Sequence, residues 1–131
     1  MYVLLLLLLI FVPILAYRVA CRRHPRHVFF ITGVAFGAIV APFTLGLYVL
    51  YFASPFTAVI GIIGLPLALI HGSPGFTVAV YLGLIPKGEV VSGLIAHAIM
   101  EAFNAATWAF CYGLLGYVID YFRNRKRRRS C

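Results

Sequence analysis

The sequence predicts an all-α integral membrane protein with three transmembrane helices and one re-entrant hairpin broken by proline and glycine. Of its 131 residues, 63% are hydrophobic and 11% are charged, which is too apolar for a soluble domain with a polar surface. The apolar residues form long blocks with short polar or basic stretches between them. Eleven lysines and arginines stand against three acids, and most of them lie in two clusters at block ends. Such clusters are typical of the cytoplasmic flanks of membrane helices.

The whole chain is interpreted as one membrane domain. We expect spans at about residues 2–20, 28–53 and 90–122, followed by a basic cytoplasmic tail at 123–131. The first span has no lysine or arginine before its leucine-rich run, and its charges follow the run, which is the reverse of a secretory signal peptide. We therefore expect an uncleaved span with the N-terminus outside the membrane. The second span contains Pro42, which should kink it.

The two basic clusters constrain the number of crossings. Their members are the residues expected to face lipid headgroups and to set orientation: Arg22, Arg23, Arg26, Arg123, Arg125, Lys126, Arg127, Arg128 and Arg129. The positive-inside rule puts both clusters in the cytoplasm. The segment 56–86 must then cross the membrane either twice or not at all.

The segment 56–86 is too short to cross twice. It has 31 residues, whereas two helical crossings need about 40. Its centre, residues 71–75, reads His-Gly-Ser-Pro-Gly, which has the composition of a turn. We therefore predict a re-entrant hairpin that enters from the non-cytoplasmic face. Four transmembrane helices, with the C-terminal tail outside, are the alternative.

A polar stripe interrupts the last apolar block. His97, Glu101 and Asn104 are spaced i, i+4 and i+7, so on a helix they share one face. Ionisable groups inside a span are costly, and are usually paired, turned inward or functional. Glu101 is 22 residues, or about 33 Å of helix, from Arg123, which places the stripe near the outer boundary of the membrane. We expect His71 of the hairpin to approach the stripe from the same side.

Three interpretations of this polar cluster are open. The preferred one is a structural hydrogen-bond cluster, in which the stripe bonds within itself or to the hairpin backbone. The second is the mouth of an oligomeric pore or ligand cavity. The third is a transition-metal site built from His71, His97 and Glu101, since two histidines and a carboxylate can ligate such a metal. The spacing matches no recognised metal signature, so whether a metal binds stays open.

Two seams of small residues predict close helix packing. Gly33, Gly37 and Ala41 recur at GxxxG spacing in the second span. A second seam lies on one face of the last span and comprises Ala102, Ala105, Ala109, Gly113 and Gly116. Small residues let another backbone approach closely, so these two helices, or copies of the protein, are expected to pair.

The sequence carries no recognised catalytic motif, so we expect neither an enzyme nor a cofactor. The expected function is that of an accessory, assembly or stabilising subunit of a larger membrane complex. The alternative is a homo-oligomeric pore, channel or transporter-like protein with an outward-facing polar cavity, and its three-span layout resembles that of phage holins in topology. Expected partners are anionic lipid headgroups and other membrane subunits or further copies of the chain. Nucleic acid is not expected, because the tail has no aromatic residue to stack on bases.

Overall fold

The computed structural model describes residues 2–53, 55–84 and 94–129, and these are almost entirely helical. Four helices follow one another: α1 (Tyr2–Arg23), α2 (Val28–Ala53), α3 (Pro55–Tyr81) and α4 (Leu94–Arg129). Three of them are long and apolar enough to cross a membrane, at Val28–Leu47, Gly61–Tyr81 and Ile95–Lys126. The all-helical prediction is confirmed, and with it the presence of three helices of membrane-spanning length.

These three candidate spans are not the three expected from the sequence. The expected spans at 28–53 and 90–122 correspond to α2 and α4, whereas the first expected span forms α1, which is not among the candidates found in the described residues. Residues 90–93 at the start of the last expected span, 85–86 at the end of the hairpin and 130–131 of the tail lie outside the described residues. The third candidate span is α3.

The expected turn at residues 71–75 is wrong as a prediction of secondary structure, because these residues are helical. They belong to α3, which contains both Pro66 and Pro74. Proline removes one helical hydrogen bond, and a helix inside a protein continues past it when neighbours bond the freed backbone groups. In this structure α4 provides those neighbours, which sequence composition does not reveal.

A close backbone contact joins α2 and α4, which run antiparallel. Gly33 lies against the backbone carbonyl of Tyr112, and Gly37 lies against that of Trp108. A Cβ atom added at either glycine would overlap that carbonyl, so the two backbones meet where side chains are absent. The same holds for Gly116 against the carbonyl of Phe29. We call this contact the glycine seam.

The other small residues expected to pack have varied surroundings. Gly113 and Ala41 are buried, Ala105 and Ala109 are half-buried, and Ala102 is exposed. Large apolar side chains instead point outward along all four helices, as at Phe56, which is 94% exposed. This is the distribution of a membrane bundle, in which small residues pack inside and bulky ones contact lipid.

Three contacts hold the start of α2 against the end of α4. The Phe30 backbone N–H donates to Asp120 Oδ2 at 2.8 Å, and Asn124 Nδ2 donates to the Arg26 carbonyl at 2.9 Å. The Arg123 guanidinium lies 5.6 Å from the centre of the Phe29 ring. The loop 24–27 and the last turns of α4 therefore share one end of the bundle, which we call the basic end.

Candidate functional site

Of the four residues expected to form a polar cluster, the structure brings two to the contact between α3 and α4. Asn104 is fully buried and His71 is 6% exposed, and each is hydrogen-bonded across that contact. Glu101 is half-buried and His97 is exposed. The stripe thus has a buried part at Asn104, which faces α3, and a more exposed part at His97 and Glu101.

The buried part lies where Pro74 interrupts the hydrogen bonds of α3. Proline has no N–H, so the carbonyl of Ile70, four residues earlier, loses its helical partner. The hydroxyl of Ser73 donates to this carbonyl at 3.1 Å. The first freed group is therefore satisfied within α3 itself.

Two further backbone groups at the break have side-chain partners from α4. The N–H of Gly75 donates to Asn104 Oδ1 at 2.6 Å, and the carbonyl of His71 accepts from Trp108 Nε1 at 2.9 Å. In a regular helix this N–H and this carbonyl would pair with each other. One turn of α4 thus supplies both an acceptor and a donor for the broken turn of α3.

The imidazole of His71 completes the network. Its Nδ1 lies 2.8 Å from the carbonyl of Leu67, which can only accept, so Nδ1 carries a proton. Its Nε2 lies 3.0 Å from the hydroxyl of Tyr112. In the neutral ring Nε2 accepts from that hydroxyl, and every polar atom of the side chain is then bonded. We call the hydrogen-bonded set of Ser73, His71, Asn104, Trp108 and Tyr112 around Pro74 the break network.

Aromatic rings surround the break network. The centres of the His71 and Trp108 rings are 4.7 Å apart, and those of Trp108 and Tyr112 are 5.8 Å apart. Tyr112 also makes an edge-on contact with Phe36 of α2, at 5.0 Å between ring centres. Such contacts add packing energy to the hydrogen bonds and join α2, α3 and α4 at one level.

Two buried polar atoms above the break have no hydrogen-bond partner among the described residues. They are Glu101 Oε2 and Asn104 Nδ2, which belong to side chains one turn apart on α4. Asn104 therefore uses its oxygen on α3, while its amide nitrogen lies on the side of Glu101.

The structure does not bring His71, His97 and Glu101 together as a metal-binding set. Among the described residues no group of three histidine, cysteine or acidic side chains could hold a metal ion. His71 instead uses both ring nitrogens on α3 and α4. These hydrogen bonds make His71 part of the contact between α3 and α4.

A second polar site lies at the basic end, around Asp120. This carboxylate is 2% exposed, and its Oδ2 accepts from Phe30, the third residue of α2. The first N–H groups of a helix have no partner inside it, so Asp120 caps α2 from another helix. Its Oδ1 is buried without a hydrogen-bond partner in the described part of the chain.

A cavity of about 570 Å³ opens beside Asp120. Its lining is polar and largely basic, and consists of Arg26, His27, Tyr117, Asp120, Tyr121, Asn124 and Arg125. Among the other basic residues expected at the membrane surface, Arg22, Arg23 and Lys126 are exposed and Arg123 is half-buried, while the side chains of 127–129 lie outside the description.

Sequence reasoning missed several residues of the two sites. Trp108 and Tyr112 look like ordinary apolar residues of a membrane helix, and their polar atoms gain a role only from α3. Trp108 does lie on the face of the predicted stripe, which was the one available signal. The bond from Asp120 to Phe30 joins residues 90 positions apart, and no local pattern marks it.

Comparison of the chain with protein-family models, curated proteins and solved structures finds no match. The fold and the break network alone define the class. The protein is all-helical over its described residues, has three helices long and apolar enough to span a membrane, and carries polar side chains at the contact between two of them.

Proposed function

We propose that this chain is a small membrane-embedded accessory, assembly or stabilising subunit of a larger membrane complex. One observation carries the proposal. The inward-facing polar side chains of Asn104 and Trp108 on α4 bond the backbone of α3. Their role is to hold an irregular helix inside the membrane, which is a structural task.

Two apolar grooves support a packing role. They flank the glycine seam and have volumes of about 220 and 260 Å³. Gly33 and Gly116 line the first groove beside Phe36, while Gly113 lies in the second beside Phe110. Grooves with small residues between aromatic side chains can receive the side chains of a neighbouring transmembrane helix.

We further infer that the segment 56–86 re-enters the membrane and does not complete a second crossing. Gly37 and His71 both contact Trp108, so they lie at the same level of the bundle. Residue numbers rise along α3 from His71 to Gly75 while the contacts on α4 fall from Trp108 to Met100. This part of α3 therefore runs antiparallel to α4, as α2 does.

Two segments that run in the same direction need two reversals of the chain between them. α2 ends at Ala53 and α3 begins at Pro55, so one reversal would fall between these two helices. The second reversal would have to lie before His71, and a sharp bend of α3 at Pro66 would supply it. Two full crossings by α2 and α3 would instead return the end of α3 to the basic end, so these contacts favour the re-entrant topology over four spans.

The proposed orientation has the N-terminus outside and the C-terminus in the cytoplasm. Both basic clusters meet at the basic end, where Asn124 bonds the carbonyl of Arg26. The positive-inside rule then assigns that end to the cytoplasm. Labelling of Cys131 by a membrane-impermeant maleimide, with Cys21 and Cys111 replaced by alanine, should require opening of the cytoplasmic side. Labelling from outside would contradict this orientation.

The subunit proposal is tested by native purification. The full chain, extracted in a mild detergent from its own membrane, should elute with a second protein at fixed stoichiometry in native mass spectrometry. Phe110→Ala, which alters a groove, should weaken this recovery. Ile95→Ala removes a similarly exposed apolar side chain outside both grooves and should not. Recovery of a homogeneous homo-oligomer alone would count against the proposal.

A homo-oligomeric pore is the second candidate, favoured by the unpartnered Glu101 Oε2 and Asn104 Nδ2. Polar atoms buried without partners in one protomer can line a shared path when copies assemble. Reconstituted protein should then conduct ions, and Glu101→Gln should change the conductance or selectivity. Flux that is identical in this variant and in the natural protein would remove the stripe from the mechanism.

A further inference from the structure

The cavity at the basic end combines two kinds of charge. Arg26 and Arg125 line it and are exposed residues, so their guanidinium groups can reach an anion in the cavity. Asp120 lines the same cavity but is almost fully buried, with Oδ1 unpartnered among the described residues. A buried carboxylate oxygen without a donor is destabilising, so a hydrogen-bond donor at this point would be favoured. The cavity therefore suits a ligand with both an anionic group and an N–H donor.

The position of the cavity in the bundle narrows the ligand class. Arg125 of the basic tail lines it, and two tyrosines, Tyr117 and Tyr121, form part of its wall. Tyrosine and arginine together are typical of the headgroup level of a membrane, and basic pockets between membrane helices bind lipid headgroups. A phospholipid headgroup would reach the cavity without leaving its leaflet.

We propose that this cavity binds the headgroup of a phosphatidylethanolamine lipid. The phosphate lies against Arg26 and Arg125, and the primary ammonium group donates to Asp120 Oδ1. Asp120 thus has two functions, since its Oδ2 caps α2 while its Oδ1 selects the lipid. The inference is independent of the proposed role as a subunit.

The chemistry of Asp120 separates this lipid from others with the same phosphate. Choline carries a quaternary nitrogen without N–H, so it cannot donate to Oδ1. A phosphatidylglycerol headgroup has hydroxyl donors but no cation, and its net charge is repelled by a buried carboxylate. The basic flanks attract anionic lipids in general, whereas the cavity selects for an amine.

The test measures lipid retention on the full-length protein by native mass spectrometry. The protein in detergent is given equimolar phosphatidylethanolamine, phosphatidylcholine and phosphatidylglycerol with identical acyl chains. We expect retention of the ethanolamine lipid to exceed that of the choline lipid by about fivefold or more, as a charge-assisted hydrogen bond allows. Mono- and dimethylated ethanolamine lipids should give intermediate retention, because each methyl group removes one donor.

Three variants assign the roles. Asp120→Asn keeps an oxygen to cap α2 but loses the charge, so it should bind ethanolamine and choline lipids about equally. Arg125→Ala should lower retention of all three lipids, whereas Arg22→Ala removes an equal charge from an exposed residue outside the cavity and should not. If Asp120→Asn does not fold, the retention of ethanolamine lipids with zero, one, two and three N-methyl groups by the natural protein tests the role of Asp120 Oδ1.

Specific outcomes would overturn the proposal. Equal retention of ethanolamine and choline lipids by the natural protein would remove the role of Asp120 Oδ1. An unchanged preference in Asp120→Asn would do the same. Soluble phosphoethanolamine at the lipid concentration should not displace the bound lipid, and displacement would assign the cavity to a soluble phosphate ester instead.

Discussion

One helix, α4, packs against its two neighbours by different means. At the glycine seam, α2 approaches it closely because Gly33 and Gly37 lack side chains. At the break network, α3 approaches it because Asn104 and Trp108 bond backbone groups that Pro74 has freed. The first contact depends on the absence of side chains, whereas the second combines such an absence at Gly75, which lies against the Met100 carbonyl, with polar side chains from α4. In a membrane both are favourable, since helices there associate by close packing and hydrogen bonds.

The two contacts meet at the same residues of α4. The backbone carbonyls of Trp108 and Tyr112 face the glycines of α2, while their side chains reach His71 of α3. A side-chain change at either residue therefore acts on the break network and leaves its carbonyl at the glycine seam in place, whereas a substitution at a glycine of α2 acts on the seam. Substitutions can thus test whether the two contacts are independent.

The largest expected effect comes from filling the glycine seam. Gly37→Val would push a branched side chain into the backbone of Trp108, and the two helices would have to separate. We expect a loss of about 3 kcal/mol in the free energy of unfolding in detergent. The matched control is Gly72→Val, because a Cβ atom at Gly72 meets nothing within 4 Å. Similar losses in both variants would show that the seam is not tightly packed.

Removal of the acceptor at the break should have the next largest effect. Asn104→Leu is similar in size but leaves the buried N–H of Gly75 without its partner, which should cost about 2 kcal/mol. The control Thr107→Leu makes a comparable polar-to-apolar change at an exposed position of the same helix. Hydrogen exchange should accelerate at the Gly75 amide in Asn104→Leu. An unchanged exchange rate at the Gly75 amide would show that the hydrogen bond to Asn104 does not stabilise the contact between α3 and α4.

The difference between the contacts also explains what the sequence could predict. The glycine seam follows from residue spacing on single helices, so the sequence alone predicts Gly33, Gly37, Gly113 and Gly116 as packing residues. Asn104 was placed on an inward-facing stripe for the same reason. The positive-inside rule predicts that both basic clusters lie on one side of the membrane, and the structure brings Arg26 and Asn124 together at one end of the bundle.

The break network could not be predicted, because most of its hydrogen bonds join α3 to α4 and depend on how the two helices pack. Residues 71–75 have the local preference of a turn, yet they are helical because α4 compensates for the missing bonds. His71 was expected to face the stripe, but its bonds to Leu67 and Tyr112 depend on where α3 lies against α4. The cap by Asp120 depends on the antiparallel arrangement of α2 and α4.

A smaller effect is expected when the donor at the break is removed. Trp108→Phe keeps an aromatic ring against His71 but deletes the indole N–H, so the carbonyl of His71 loses its side-chain partner. We expect a loss of about 1 kcal/mol in unfolding free energy. Combined with Asn104→Leu, the losses should not add, because both act on one broken turn. Strict additivity would show that the two bonds act separately.

The smallest effect, and the sharpest test of independence, is expected from Tyr112→Phe. This change deletes only the hydroxyl bonded to His71 Nε2 and keeps both the ring against Phe36 and the carbonyl against Gly33, so it should cost about 0.5 to 1 kcal/mol. Double-mutant cycles compare its coupling to each contact. It should couple to Trp108→Phe, since both act on His71, and should add to Gly37→Val within about 0.5 kcal/mol. Coupling to the glycine variant would mean that the seam and the break network form one cooperative unit, with α4 transmitting any movement of α3 to α2.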